Sequence, residues 1–332
     1  MVLLRKVVAS ALSAVLWHLA PARAQDRPNT TTPCDFYAEK IGGNNTAANQ
    51  KLAMALVLHS ALLGPYSKYN SVPVPDFTGA LVPTTFKGEY VDLRGYFNGG
   101  FASTNTGGDH GESVSFWDDG GIAVALQTEP GNGNPNANQD RFYNHVYSYF
   151  GTFLGCSDIG STELPAYAGK ASMYEVHKYM DLNAAEMGFF IDQATRGLLS
   201  IGFTSADAQF VNTTLDKTFN KRCAPAAPVV PADAGPQLQA ICVAADCALS
   251  PNDTCSAYET AVAPAVANAT LIGNYTKGSN GSTSVNASAT TSSTGSVPSV
   301  TGSSGTEKTA VGWLLELGFT AAGVILLASG LL

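Results

Sequence analysis

The residues best placed to do chemistry sit in one short run, Met173-Tyr-Glu-Val-His177-Lys-Tyr-Met180. Met173 and Met180 lie four residues before and three after His177, so on a helix all three share one face. An imidazole among thioethers and aromatic rings is suited to a soft or borderline metal, haem iron included. His59, His110 and His145 are the other histidines beyond His18, which falls in the N-terminal leader. His110, in Asp109-His110-Gly-Glu112, reads as a loop residue, and Asp118-Asp119-Gly120-Gly121 as a solvated turn. No G-x-S-x-G elbow, H-E-x-x-H pair or phosphate-cradling glycine loop is present.

The elements that must position His177 follow from pattern. Residues 46–63 are apolar with good helix formers and stop at Gly64-Pro65. Residues 139–155 carry an apolar stripe at Phe142, Val146, Tyr149, Phe150 and Phe153. A short helix is expected over 171–180 and longer ones over 184–201 and 205–221, with Thr204 or Ser205 as N-cap. Residues 71–138, rich in Gly, Asn, Pro and Asp, read as loops with short strands, among them Tyr90–Leu93 and Ile122–Leu126. The fold class expected is mainly α, with a long irregular or short-strand insertion, stabilised by disulfides.

The order of motifs resembles the truncated, two-over-two haemoglobins. It runs Phe153-Leu154-Gly155-Cys156, Tyr167-Ala168-Gly169, Met173 to Met180, Met187-Gly-Phe189-Phe190, then Leu199-Ser-Ile201-Gly202-Phe203, over 141–222. Phe36-Tyr37-Ala-Glu-Lys-Ile41-Gly42-Gly43 is similar to that family's opening. The resemblance implies a globin-like helical domain at 34–223, interrupted by the insertion at 71–138, with haem as cofactor and His177 as its iron ligand. It implies that Phe142, His145, Val146, Tyr149 and Phe150 line the distal side, and that Tyr167 and Met173 pack beneath the porphyrin. The distal Tyr of ligand-binding members has no counterpart in the 46–63 helix, where His59 is the candidate substitute or sixth ligand. Haem capture, gas binding or sensing, or weak haem redox chemistry would follow, with haem or a small gas as partner. We expect no enzymatic activity beyond that, and any would be peroxidase-like or NO-dioxygenase-like. The alternative is a haem-free structural or adhesive surface glycoprotein.

Composition bears on where the protein works. Charged residues make up 13% of the 332, and the formal net charge is −8. An average soluble chain carries about 25% charged residues. An acidic chain without basic patches is not a nucleic-acid binder. Residues 1–24 read as a secretory signal ending Ala22-Arg23-Ala24. Residues 304–332 read as a GPI-attachment signal, with Ser303 as attachment residue and the membrane as partner through the anchor. The expected location is secreted, on the outer face of the plasma membrane or in the cell wall. Cys34, Cys156, Cys223, Cys242, Cys247 and Cys255 imply three disulfides. Many pairings are open, and Cys247 with Cys255 is the local one expected. A Pro/Ala linker and cysteine-rich appendage span 224–258, and a Ser/Thr-rich glycosylated stalk 259–303. The sequons are Asn29, Asn44, Asn212, Asn252, Asn268, Asn274, Asn280 and Asn286.

Overall fold

The computed structural model describes residues 27–272, 275–277 and 283–285. The expected signal, the attachment signal with Ser303, and the sequons Asn274, Asn280 and Asn286 lie outside the described residues. The described residues all fall in one compact unit; residues 288–332 lie outside the described residues.

Two helices open the fold. Helix α1, Pro33–Gly42, starts on a Thr32 side-chain cap, and α2, Ala47–Leu63, starts on a Thr46 cap. Helix α2 is apolar on nearly every side and is buried from Ala53 to Leu62. A helix without a polar face needs neighbours all round. It has them in α1, in α4 (Asn138–Leu154) and in α6 (Ala184–Ser200). At the α2–α6 crossing Gly197 lies so close that a Cβ would stand 3.1 Å from the Ala61 nitrogen. Helix α7, Ser205–Phe219, packs on α6 and starts on a Thr204 cap, as expected. Beyond α2 the chain doubles back, and Ala80 and Leu81 donate to the carbonyls of Ala61 and Leu62.

The segment between α2 and α4 is integral to the fold. Strands β1 (Thr84–Phe86) and β2 (Glu89–Val91) form an antiparallel hairpin. A 3₁₀ turn, Arg94–Tyr96, leads into β3 (Asn98–Thr104). Strand β3 is the centre of a three-stranded antiparallel sheet, between β4 (Glu112–Ser115) and β5 (Ala265–Val266). Ile122 to Leu126, expected as a strand, instead forms most of a short helix α3, Gly121–Ala125, and its cap. Helix α5, Met173–His177, continues into a 3₁₀ turn, Lys178–Met180. Helix α8, Ala269–Ile272, follows β5, and Ile272 is buried against Gly95 and Gly100. The first residues of the expected stalk are therefore packed onto the β3 sheet. A further hairpin pairs β6 (Tyr275–Lys277) with β7 (Thr283–Val285).

The mainly α, globin-like domain expected at 34–223 is corrected by this architecture. Eight α-helices occur among the described residues, but they share the fold with small antiparallel sheets. The physical reason is pairing at long sequence separation. Residues 98–115 hydrogen-bond to each other and to 265–266, so a sheet occupies space beside α5 that the resemblance gives to helices.

Three disulfides form, as suits an extracellular protein. Cys34–Cys156 joins the start of α1 to the end of α4. The expected Cys247–Cys255 pair is not made. Cys242 takes Cys247, and Cys223 takes Cys255, because the chain after α7 runs back along Leu182 and Arg222 and brings those residues together.

Candidate functional site

The histidines expected near haem have three different surroundings. His59 is fully buried in α2. Its Nδ1–H donates to the Ala125 carbonyl of α3 at 2.8 Å, which fixes the tautomer. Its Nε2 then accepts from the Tyr147 hydroxyl at 2.6 Å. Burial pushes its pKa down to about 4. Tyr143 packs over the ring at 4.5 Å. Both ring nitrogens are occupied, so His59 joins α2, α3 and α4 as a neutral bridge and has no lone pair for iron.

His145 is exposed on α4, its ring edge against Tyr167 at 4.7 Å. Gly169 lies beneath it, where a Cβ would stand 2.1 Å from Nε2. His177 is half-buried at the end of α5, and its Nδ1–H donates to the Met173 carbonyl at 2.8 Å. Burial lowers its pKa, so the ring is neutral near pH 7. This bond turns Nε2 away from the helix, the orientation a metal-bound imidazole uses.

The remaining expected haem-lining residues pack on protein. Phe142 lies against Phe97 at 5.8 Å and Phe116 at 4.8 Å. Tyr149 is buried against Tyr167 and Phe150, and Phe150 lies against Phe153. Val146 is packed against the core, and Met173 is buried. Helix α5 packs on β3 and the 3₁₀ turn Asn105–Gly107, whereas α4 packs on α2, α1 and β4. Tyr167, expected beneath the porphyrin, packs directly on the expected distal residues His145 and Tyr149, so no slot separates the two sets there. The clefts of about 430 Å³ beside Arg222 and Tyr258 and of about 440 Å³ beside Pro73 and Phe77 are lined by none of these residues. The side chains present do not fit a porphyrin between His177 and α4. Among the described residues no three His, Cys, Asp or Glu side chains gather as a metal site.

Asp118, read as part of a solvated turn, has a structural task. Its carboxylate accepts from the backbone N–H groups of Asn138 and Gln139, the first turn of α4, whose N-cap Ala137 has no capping side chain. Those bonds hold the Asp118 carboxyl below its ordinary pKa against the opposing effect of burial. Gln139 completes the joint, accepting from the N–H of Asp119 and of Gly121.

Sequence reasoning passed over two features. One is Glu186, fully buried, which accepts from the Tyr96 hydroxyl at 2.8 Å and closes a capping box with Asn183. The spacing Asn183-x-x-Glu186 before an apolar helix was its signal. The other is a surface cluster of four half-buried aromatic rings, Phe97, Phe116, Trp117 and Phe142. Phe97 lies 6.4 Å from Trp117, and Trp117 touches the buried Tyr143 at 6.2 Å. Its signal was Phe116-Trp117, two large rings in a run otherwise rich in Gly, Asn and Asp.

No family description, curated protein or solved structure matches this chain.

Proposed function

We propose that the protein is a haem-free surface glycoprotein whose folded unit makes adhesive contact through the face formed by Phe97, Phe116, Trp117 and Phe142. The observation that carries the reading is this cluster of large rings left partly exposed at the surface. A contiguous aromatic patch costs solubility and suits a contact surface, where Trp, Tyr and Phe are enriched. The surroundings agree. Three disulfides brace the unit for life outside the cell, and the sequons Asn29, Asn44, Asn252 and Asn268 are exposed. Asn212 differs: it lies within α7, and its Nδ2 donates to Thr195 at 2.9 Å. We expect it to stay unglycosylated, which peptide mapping by mass spectrometry would check.

Cells displaying the full chain should aggregate, and the Trp117→Ala/Phe142→Ala variant should lose that aggregation at equal surface density. Equal aggregation by the variant would sink the adhesive face. Haemin added to the purified chain should give no Soret band dependent on His177. A stoichiometric band lost in His177→Ala would overturn the haem-free reading.

A further inference from the structure

The three disulfides differ in how open they are to a thiol. Cys34, Cys156, Cys242 and Cys247 are buried and belong to the hydrophobic core, so two of the bridges are covered by the fold. The Cys223–Cys255 bridge is different. Cys255 is exposed at the surface, although its partner Cys223 is buried. Both half-cystines line the cleft of about 430 Å³ beside Tyr258, which leaves room for a reagent next to the bridge.

Cys223 also carries backbone strain. Its φ is +60°, in the left-handed region that a residue with a Cβ enters only at a cost. The fold holds it there from both sides. The backbone of Arg222 donates to Ala248 and accepts from Ser250, and the Cys223 carbonyl accepts from the Thr254 N–H at 2.8 Å. The bridge joins residues 32 apart and ties the end of the helical body to the run through Tyr258 and Glu259 towards β5. That run is otherwise held by weaker bonds. The Tyr258 hydroxyl donates to the Ala224 carbonyl, the Glu259 N–H donates to the Tyr174 hydroxyl, and the Glu259 carboxylate accepts from Lys178. Exposed or strained disulfides are the ones that exchange with thiols, whereas buried, relaxed ones persist.

We propose that Cys223–Cys255 is a thiol-exchange site, opened from the Cys255 side by an external dithiol. A thiolate of the dithiol attacks Cys255 Sγ in line with the S–S bond and forms a mixed disulfide. Cys223 leaves as a thiolate and takes a proton from water. The second thiol of the reagent gives up its proton, attacks its own sulfur in the mixed disulfide and releases Cys255 as a thiol. The dithiol is thereby oxidised by two electrons to a disulfide, and the bridge is reduced to two thiols. Burial of Cys223 shields it from direct attack. Opening leaves Thr254 to Glu259 without a covalent tie to the body, while the helices keep their two buried bridges.

The test treats the native, purified chain with rising dithiothreitol, quenches with iodoacetamide and maps the labelled peptides by mass spectrometry. Cys223 and Cys255 should take the label at reductant levels that leave Cys34, Cys156, Cys242 and Cys247 unlabelled. Opening of the three bridges together, opening of another bridge first, or no opening short of unfolding would overturn the proposal. Glutathione, a monothiol, identifies the sulfur attacked. Its adduct should sit on Cys255 with the alkyl label on Cys223, and the reverse pattern would contradict entry from the Cys255 side. Amide hydrogen exchange reads the consequence. In the selectively reduced protein the Thr254 and Glu259 amides should exchange about tenfold faster or more, with the α2 amides unchanged. Unchanged exchange at Thr254 and Glu259 would show that the bridge ties nothing down.

Discussion

Helix α4 separates two aromatic regions that use the same residue types to opposite ends. On its inner side Tyr143 and Tyr147 are fully buried around His59, and on its outer side Phe142 joins Phe97, Phe116 and Trp117, all partly exposed. Inside, every ring helps to close a neutral bridge between three helices. Outside, ring area that could have been covered is left uncovered. The difference teaches where histidine and aromatic residues hold the fold and where they remain free for contact. It predicts that stability tracks the inner region and adhesion the outer one.

The largest expected effect is at His59. His59→Ala empties a fully buried site and strands the Ala125 carbonyl and the Tyr147 hydroxyl, at a cost of about 3–5 kcal/mol. Chemical denaturation would measure it, and a loss below about 1 kcal/mol would break the comparison.

A pH series sharpens it next. The His59 imidazole is neutral in the fold, with a pKa of about 4 against an ordinary 6.5, so the unfolded chain takes the proton first. Stability from this group is full above about pH 6.5 and falls by about 3 kcal/mol as pH drops to 4. His59→Gln should flatten that slope, and an unchanged slope would place the acid sensitivity elsewhere. Asp207 acts in a lower window. Burial opposes its charge, but the Arg27 guanidinium and the Tyr37 hydroxyl hold its carboxyl below the ordinary value. Its contribution is present above about pH 4 and is lost only as pH falls further.

Two hydroxyls give a finer test. Tyr147→Phe removes the donor to His59 and should cost about 1–2 kcal/mol. Tyr143→Phe removes a buried hydroxyl that has no partner, and should be neutral or stabilising by up to about 1 kcal/mol. Thermal melts of the pair distinguish them, and equal losses would mean that the hydrogen bond to His59 contributes nothing. Trp117→Ala, on the outer side, should cost less than His59→Ala, about 1–2 kcal/mol, because its ring is only partly buried.

The sequence made the helices readable and their partners unreadable. The apolar runs at 46–63 and 184–201, and the Thr204 cap before 205–219, are local signals, and local hydrogen bonds satisfy them. The pairing of β3 with Ala265–Val266 joins residues on either side of the helical body, Phe101 with Val266 and Ala102 with Ala265, and nothing local marks it. For the same reason Asp118 looked like a turn residue, although it caps a helix that starts 20 residues later. The candidate site suffered most. Met173, His177 and Met180 do fall in one helical run, but what packs on that run is a sheet whose strands pattern alone shows only as short pieces without partners. Sequence offers His59 as a candidate distal or sixth ligand because its two partners, Ala125 and Tyr147, come from segments 66 and 88 residues away. The aromatic face is legible only in retrospect, since Phe97 and Phe142 reach Phe116-Trp117 through the fold.

Trp117 reports on its own face, and it is the one tryptophan among the described residues. The most direct measurement is its emission, taken as wild type minus Trp117→Phe, while the purified chain binds to cells that display the protein. Contact through this face predicts a blue shift and loss of iodide quenching in step with binding. Binding that leaves the Trp117 emission and its quenching unchanged would contradict the account.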